Sequence, residues 1–211
     1  MAETIERLVV GPLATNCYIL KSGVELAVID PGGDAEMILA KAKELGGTVK
    51  YVIDTHGHID HIAANREVIE ATGAQLLIHE LDARLLAHPD GNLSSLMGMR
   101  LTSPAPSRLL KEGDKVVVGE DEMTVLRTPG HTPGGICMLA SGYAFTGDTL
   151  FVDSIGRTDF PGGSDEQMQE SLNKLQTVLR KDTMLYPGHG EPGTFARALL
   201  VNPFLGSMVV G

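Results

Sequence analysis

The chain has 211 residues, 43% of them hydrophobic and 21% charged, with 25 glycines, so it is long enough to bury a full core and reads as a globular protein rich in turns. Its formal net charge of -10 and pI near 5.1 exclude a nucleic-acid partner, because no lysine or arginine cluster exists to neutralise a run of phosphates. No stretch approaches the roughly 18 apolar residues of a membrane span, and the polar, acidic start Met1-Ala2-Glu3-Thr4-Ile5-Glu6-Arg7 lacks the features of a secretory signal, so a cytoplasmic location is expected.

The first third alternates apolar, β-branched runs with turns. Strands are expected at Ile5 to Val10, Asn16 to Leu20 and Leu26 to Ile29, the last ending in the sharp turn Asp30-Pro31-Gly32-Gly33. Asp30 is either a turn residue or a carboxylate that orients a ligand from behind. Asp34 is the expected N-cap of a helix that runs to Leu45 and stops at Gly46-Gly47. Cys17, in the second strand, and Cys137 sit in apolar surroundings and read as small buried residues in a reducing compartment.

Val49 to Ile53 then forms a strand that runs into Thr55-His56-Gly57-His58-Ile59-Asp60-His61, and Ile62 to Glu70 has the spacing of a helix. The histidines therefore fall on a strand-to-helix loop, a usual place for ligands. One histidine alone is ordinarily a satisfied polar group. Three imidazoles and a carboxylate packed on a tight loop, with Gly57 allowing close backbone approach, point to a metal.

Beyond it, Ala74 to Ile78 reads as a strand and His79 to Ala87 as a short helix; His79 and His88 have no ligand-type neighbours and stay outside the site. Asp90 to Ser107 lacks periodicity and reads either as a long loop able to cover a pocket or as plain disordered surface. The second half repeats the strand pattern at Lys115 to Val118, Met123 to Arg127, Ile136 to Leu139 and Tyr143 to Phe145. A helix from Asp165 to Arg180, capped by Ser164, places Met168, Leu172, Leu175 and Leu179 on one face, and a strand at Thr183 to Tyr186 precedes a last helix around Thr194 to Val201. Each of three turns at strand ends offers one metal-competent side chain beside a glycine: Thr128-Pro129-Gly130-His131-Thr132, Phe145-Thr146-Gly147-Asp148-Thr149 and Tyr186-Pro187-Gly188-His189-Gly190.

In this order, together with the His56 to His61 cluster, these turns resemble the metallo-β-lactamase superfamily over almost the whole chain. The resemblance implies an α/β fold, a four-layer αββα sandwich, as a single domain over residues 1–211. It also implies two metals: His56, His58 and His131 would hold one, Asp60, His61 and His189 the other, and Asp148 would bridge them. These donors suit divalent zinc first, with iron or manganese as alternatives, and a shared hydroxide, with Asp60 and Asp148 as the catalytic carboxylates, would be the nucleophile.

Within the superfamily the chain is more similar to small glyoxalase II-like hydrolases, through Gly11-Pro12-Leu13, Asn16-Cys17-Tyr18, Gly156-Arg157-Thr158-Asp159-Phe160-Pro161-Gly162-Gly163 and Asn202-Pro203-Phe204. No carboxy-terminal helical domain of the kind that carries part of the glutathione site in the longer enzymes is expected in it. The expected activity is hydrolysis of a small-molecule thioester such as S-lactoylglutathione, whose thiolate leaves without a strong general acid. Arg157 could meet a substrate carboxylate or pair with Asp153 or Asp159. The alternatives are a one-iron persulfide dioxygenase, whose branch shares the Gly-Arg-Thr-Asp-Phe stretch, and a metal-binding module without turnover; a β-lactamase role lacks an export signal.

Overall fold

The computed structural model describes residues 4–206 and contains two six-stranded mixed sheets. In the first, β1 (Thr4–Val10), β2 (Thr15–Ser22) and β3 (Glu25–Ile29) run antiparallel, and β4 (Thr48–Ile53), β5 (Gln75–His79) and β6 (Arg108–Leu110) continue parallel to β3. The second sheet has the order β12-β11-β10-β9-β8-β7, formed by β7 (Lys115–Val118), β8 (Asp121–Arg127), β9 (Ile136–Ala140), β10 (Tyr143–Gly147), β11 (Met184–Pro187) and β12 (Gly193–Thr194).

Strand alternation builds the layers. In β2, Tyr18 and Leu20 face the second sheet, where they join Val125, Met138 and Phe145, whereas Cys17 and Ile19 face outward. The outward face packs on Ile38 and Ala42 of α1 (Ala35–Leu45), on Ile62 of the short α2 (Ile59–Ile62) and on Val68 of α3 (Asn65–Thr72). On the far side, Leu126, Cys137, Ala144 and Leu185 meet Met168, Leu172 and Leu175 of α4 (Asp165–Val178) and Phe195 of α5 (Phe195–Val201). The result is the expected αββα sandwich. Both cysteines are buried and free, and among the described residues no helix is long and apolar enough to cross a membrane.

Three expectations need correction. Asp34 does not cap α1 with its side chain: it lies in the left-handed region at φ 48°, and its carboxylate accepts a 2.8 Å bond from the Gly11 amide instead. The helix expected from Ile62 is two pieces. The first turn begins at Ile59, so Asp60 and His61 are helical, and the chain breaks at Ala63-Ala64, where the Ala64 amide bonds the Pro31 carbonyl. Residues 79–87 contain only a 3₁₀ turn at Ala83–Ala87, and the loop before β6 carries a second at Ser94–Met97; β6 itself was hidden by its three-residue length.

Candidate metal centre

Five strands deliver the site. β3 and β4 run parallel, so Asp30 and the loop after Ile53 emerge at the same edge of the first sheet. In the second, β8 and β10 each run antiparallel to β9, and β11 runs parallel to β10, so the turns bearing His131, Asp148 and His189 also emerge together. Backbone bonds join the two edges: the Asn16 amide donates to the Gly188 carbonyl at 2.7 Å and the Ile136 amide to the Thr55 carbonyl at 3.0 Å. Asn16 Nδ2 and Tyr18 Oη add bonds to the Pro187 carbonyl at 2.9 and 2.7 Å, so these two residues fix the turn that carries His189.

All seven sequence-derived donors converge. Ligand atoms of His56, His58 and His131 lie within 4.8 Å of one another, as do those of Asp60, His61 and His189 and those of His56, His61 and Asp148. Asp148 stands between the two sides, its carboxylate 3.6 Å from His131 Nε2, 3.4 Å from His61 Nε2 and 3.6 Å from His189 Nε2. His79 and His88 lie in none of these groups.

Neighbours set the ring tautomers. His61 Nδ1 lies 2.9 Å from Asp30 Oδ2 and so donates there, which turns Nε2 toward the donor cluster. Thr55 Oγ1 donates to the same Asp30 carboxylate at 2.7 Å and lies 3.2 Å from His56 Nδ1, which leaves His56 Nε2 inward. Asp30 thus orients two imidazoles and is no mere turn residue. His131 Nδ1 donates at 2.6 Å to the Arg157 carbonyl.

The fit to a metal rests on atoms that have no other partner. Nε2 of His56 and His61 and Oδ1 of Asp148 are buried without a hydrogen bond, a costly state for polar atoms unless a cation takes their lone pairs, and His58 faces the cluster through Nδ1, 2.8 Å from His131 Nε2. Electrostatics divides the two sides. Burial and the neighbouring imidazoles hold His56 well below the usual histidine range and His58 down to about 3, so these two rings stay neutral. On the other side burial opposes charge on His61, but the carboxylates of Asp60, Asp148 and Asp30 outweigh it and raise that imidazole to about 10. Asp60 is correspondingly depressed: burial would raise it, and His61 and His189 prevail.

One residue escaped sequence reasoning. Asp82 is fully buried and accepts bonds from the Gly57 amide at 3.1 Å, Thr132 Oγ1 at 2.7 Å and the Gly134 amide at 2.7 Å. It ties the histidine loop to the turn that carries His131. Nothing in the sequence marks it, since its burial and its bonds are products of the fold. Gly57 is needed for close approach, since a Cβ there would meet Leu85 Cβ at 2.6 Å.

Four of the donors, Asp60, His131, Asp148 and His189, line a cavity of about 460 Å³, together with Leu93, Leu96 and Met97 from the 90–107 loop, Phe151 and Phe160. Three residues of that loop therefore line a pocket. Arg157 also lines the cavity, but its guanidinium is bonded to both carboxylate oxygens of Asp159 at 2.9 and 2.7 Å.

A family model described as "Metallo-beta-lactamase superfamily" matches residues 10–189. Hydroxyacylglutathione hydrolase GloC of Haemophilus influenzae is 32% identical over 96% of this chain and 98% of its own. Among solved structures, the BLEG-1 B3 metallo-beta-lactamase is 31% identical with a TM-score of 0.91, covering 96% of this chain and 99% of that one. TTHA1623 in a di-iron-bound form is 32% identical with a TM-score of 0.85, over 95% and 100% of the two chains. ETHE1 from Myxococcus xanthus is 29% identical with a TM-score of 0.77, over 95% of this chain and 83% of that one.

Proposed function

The chain belongs to the metallo-β-lactamase superfamily, and from that premise we propose that it is a binuclear metal-dependent hydrolase of thioesters, S-lactoylglutathione or a related acyl-thiol. The observation that carries this is what the cavity lacks. Its titratable side chains are Asp60, His131, Asp148 and His189, all candidate ligands, and Arg157, which is paired with Asp159. No further acid among the lining residues is placed to protonate a leaving group. A thiolate, whose conjugate acid has a pKa of about 8.5, needs none, whereas an amine or alkoxide would.

His56, His58 and His131 would hold one divalent cation, Asp60, His61 and His189 a second, and Asp148 both, and the pair would supply a hydroxide at neutral pH and a Lewis acid for the developing oxyanion. Asp30 holds His61 directly, and His56 through Thr55, in the tautomer that points Nε2 at the centre. The Arg157 carbonyl does the same for His131. Phe151 and Phe160, whose rings lie 6.0 Å from that of His189 and 5.7 Å from that of His58, shield the donors at either end of the cavity. Zinc and iron both suit these donors, and similarity to a di-iron-bound structure supports iron as much as zinc.

A second reading, persulfide oxidation at one iron, is favoured by the stretch Gly156-Arg157-Thr158-Asp159-Phe160. Against it stands the complete second donor set. Metal analysis of the purified protein with a thioester panel decides. Two metals per chain and thioester turnover are expected; oxygen uptake with glutathione persulfide and no thioesterase activity would overturn the choice.

A further inference from the structure

We infer that the acyl group of the substrate is a medium-length apolar chain, bound inside the cavity, and that the thiol carrier remains outside it. This rests on the thioester reading and names its substrate class. Beside the donors, the wall is apolar: Ile59, Leu93, Leu96, Met97, Ile155 and Phe160 line the cavity, and the guanidinium of Arg157, the one arginine or lysine among the lining residues, is engaged by Asp159. That guanidinium also lies over the Phe160 ring, 4.4 Å from its centroid, so both its charge and its face are occupied. The carboxylates of a tripeptide thiol and the phosphates of a nucleotide thiol therefore meet no free lysine or arginine among the lining residues, in a chain whose net charge is -10 before any metal binds.

The wall is built in. Leu93 adopts φ 69°, a backbone conformation leucine takes only where its surroundings impose it, and this sets its side chain, 9% exposed, in the cavity wall. Fully buried Asn92 fixes that geometry: Nδ2 donates to the Leu85 and Leu101 carbonyls, and Oδ1 accepts from the Ser94 amide. Leu96 at the mouth is 74% exposed and Met97 39%, apolar surface that an entering chain would cover.

Size excludes a small acyl group as the full occupant. A volume of about 460 Å³ is about fifteen times the share of one water in the liquid, ~30 Å³. A lactoyl group fills a fraction of it and buries a hydroxyl against hydrocarbon. With a methylene counted as about one water, a chain on the order of eight carbons fits within that volume and leaves room for the thioester beside the donors.

The metal-loaded full chain, assayed on acyl thioesters of two to eight carbons carried by glutathione or by N-acetylcysteamine, tests this. The expected kcat/KM rises roughly fourfold per added methylene, follows the same slope on both carriers, and for octanoyl-glutathione far exceeds that for S-lactoylglutathione. A flat series, or S-lactoylglutathione as the better substrate, would overturn the apolar site while leaving the thioesterase reading intact. Calorimetry with the uncleavable S-octyl and S-methyl thioethers of N-acetylcysteamine reads the site without turnover, and the octyl compound should bind at least a hundredfold tighter. That result with no thioester cleaved on either carrier would sink the thioesterase reading and keep the apolar site. Leu96→Asp, a change at an exposed position, should reduce the slope to about twofold per methylene; an undiminished slope in both Leu96→Asp and Met97→Asp would place the acyl chain elsewhere.

Discussion

Residues 55–61 contribute four of the seven candidate donors, whereas His131, Asp148 and His189 arrive one at a time on turns spread over the second half of the chain. In the loop, the covalent chain itself keeps the donors close. In the turns, closeness exists only because three strands of one sheet end at the same edge and that edge is bonded to the other sheet through Asn16, Tyr18 and Ile136. A loop donor is thus lost when its own side chain is changed. A turn donor can be lost by changing a residue that carries no donor at all.

The largest effect should come from Asp148→Ala, because its carboxylate alone reaches both sides of the centre. Thioester turnover is expected to fall by roughly a thousandfold or more, with bound metal dropping to one per chain or fewer and the far-ultraviolet dichroism unchanged. Metal content that stayed at two would mean that the turns do not complete the centre.

The next test sets one glycine of each kind against the other. A Cβ on Gly188 would strike the Asp148 carboxylate and come within 2.7 Å of His61 Cε1, whereas one on Gly57 would strike Leu85, outside the donor set. Gly188→Ala, though it removes no donor, should cost about a hundredfold in kcat/KM by displacing two of them. Gly57→Ala should act mainly on stability, by about 1–3 kcal/mol, with turnover reduced tenfold at most. Kinetics and thermal melts of the two variants give the comparison directly, and equal losses of activity would erase the distinction.

The same contrast explains what could be read before the structure. The four-donor loop was legible on its own, because side chains within one loop are neighbours whatever the fold. The strands were legible because both sheets are covered on both faces, so their segments read as apolar runs such as Asn16 to Leu20 and Ile136 to Leu139. The three distant donors were legible only as a resemblance, since nothing in a Pro-Gly-His or Gly-Asp turn states which other turn it meets. Asp82 left no mark, because its function lies in three bonds to residues 25 to 52 positions away in sequence. Asp34 misled for a related reason: it has the residue type and position of an N-cap, but the Gly11 amide, brought close by the fold, claims its carboxylate.

Asp82 is also where loop and turn meet, so its removal should sharpen the comparison rather than repeat it. Asp82→Ala leaves the amides of Gly57 and Gly134 and the hydroxyl of Thr132 without their buried acceptor. A loss of about 1–3 kcal/mol is expected, a drop in Tm of roughly 3–10 °C. Metal bound through His56, His58 and His131 should weaken about tenfold, measured by competition with a chelator, while the Asp60, His61 and His189 side holds its ion. Uniform weakening of both metals would show that Asp82 braces the whole edge and not one side of it.

Arg157→Ala should have the smallest effect. This residue touches the centre through its backbone carbonyl, which accepts from His131 Nδ1 at 2.6 Å and survives the substitution. Its guanidinium is engaged with Asp159 in a pair whose side chains are 66% and 64% exposed, where an ion pair contributes about 0–1 kcal/mol. KM for S-lactoylglutathione and for octanoyl-glutathione should therefore change by less than about threefold. A rise of tenfold or more confined to the glutathione thioesters, with N-acetylcysteamine thioesters unaffected, would show that the guanidinium leaves Asp159 for a substrate carboxylate. The turn after Asp148 would then select the carrier as well as hold His131 in place.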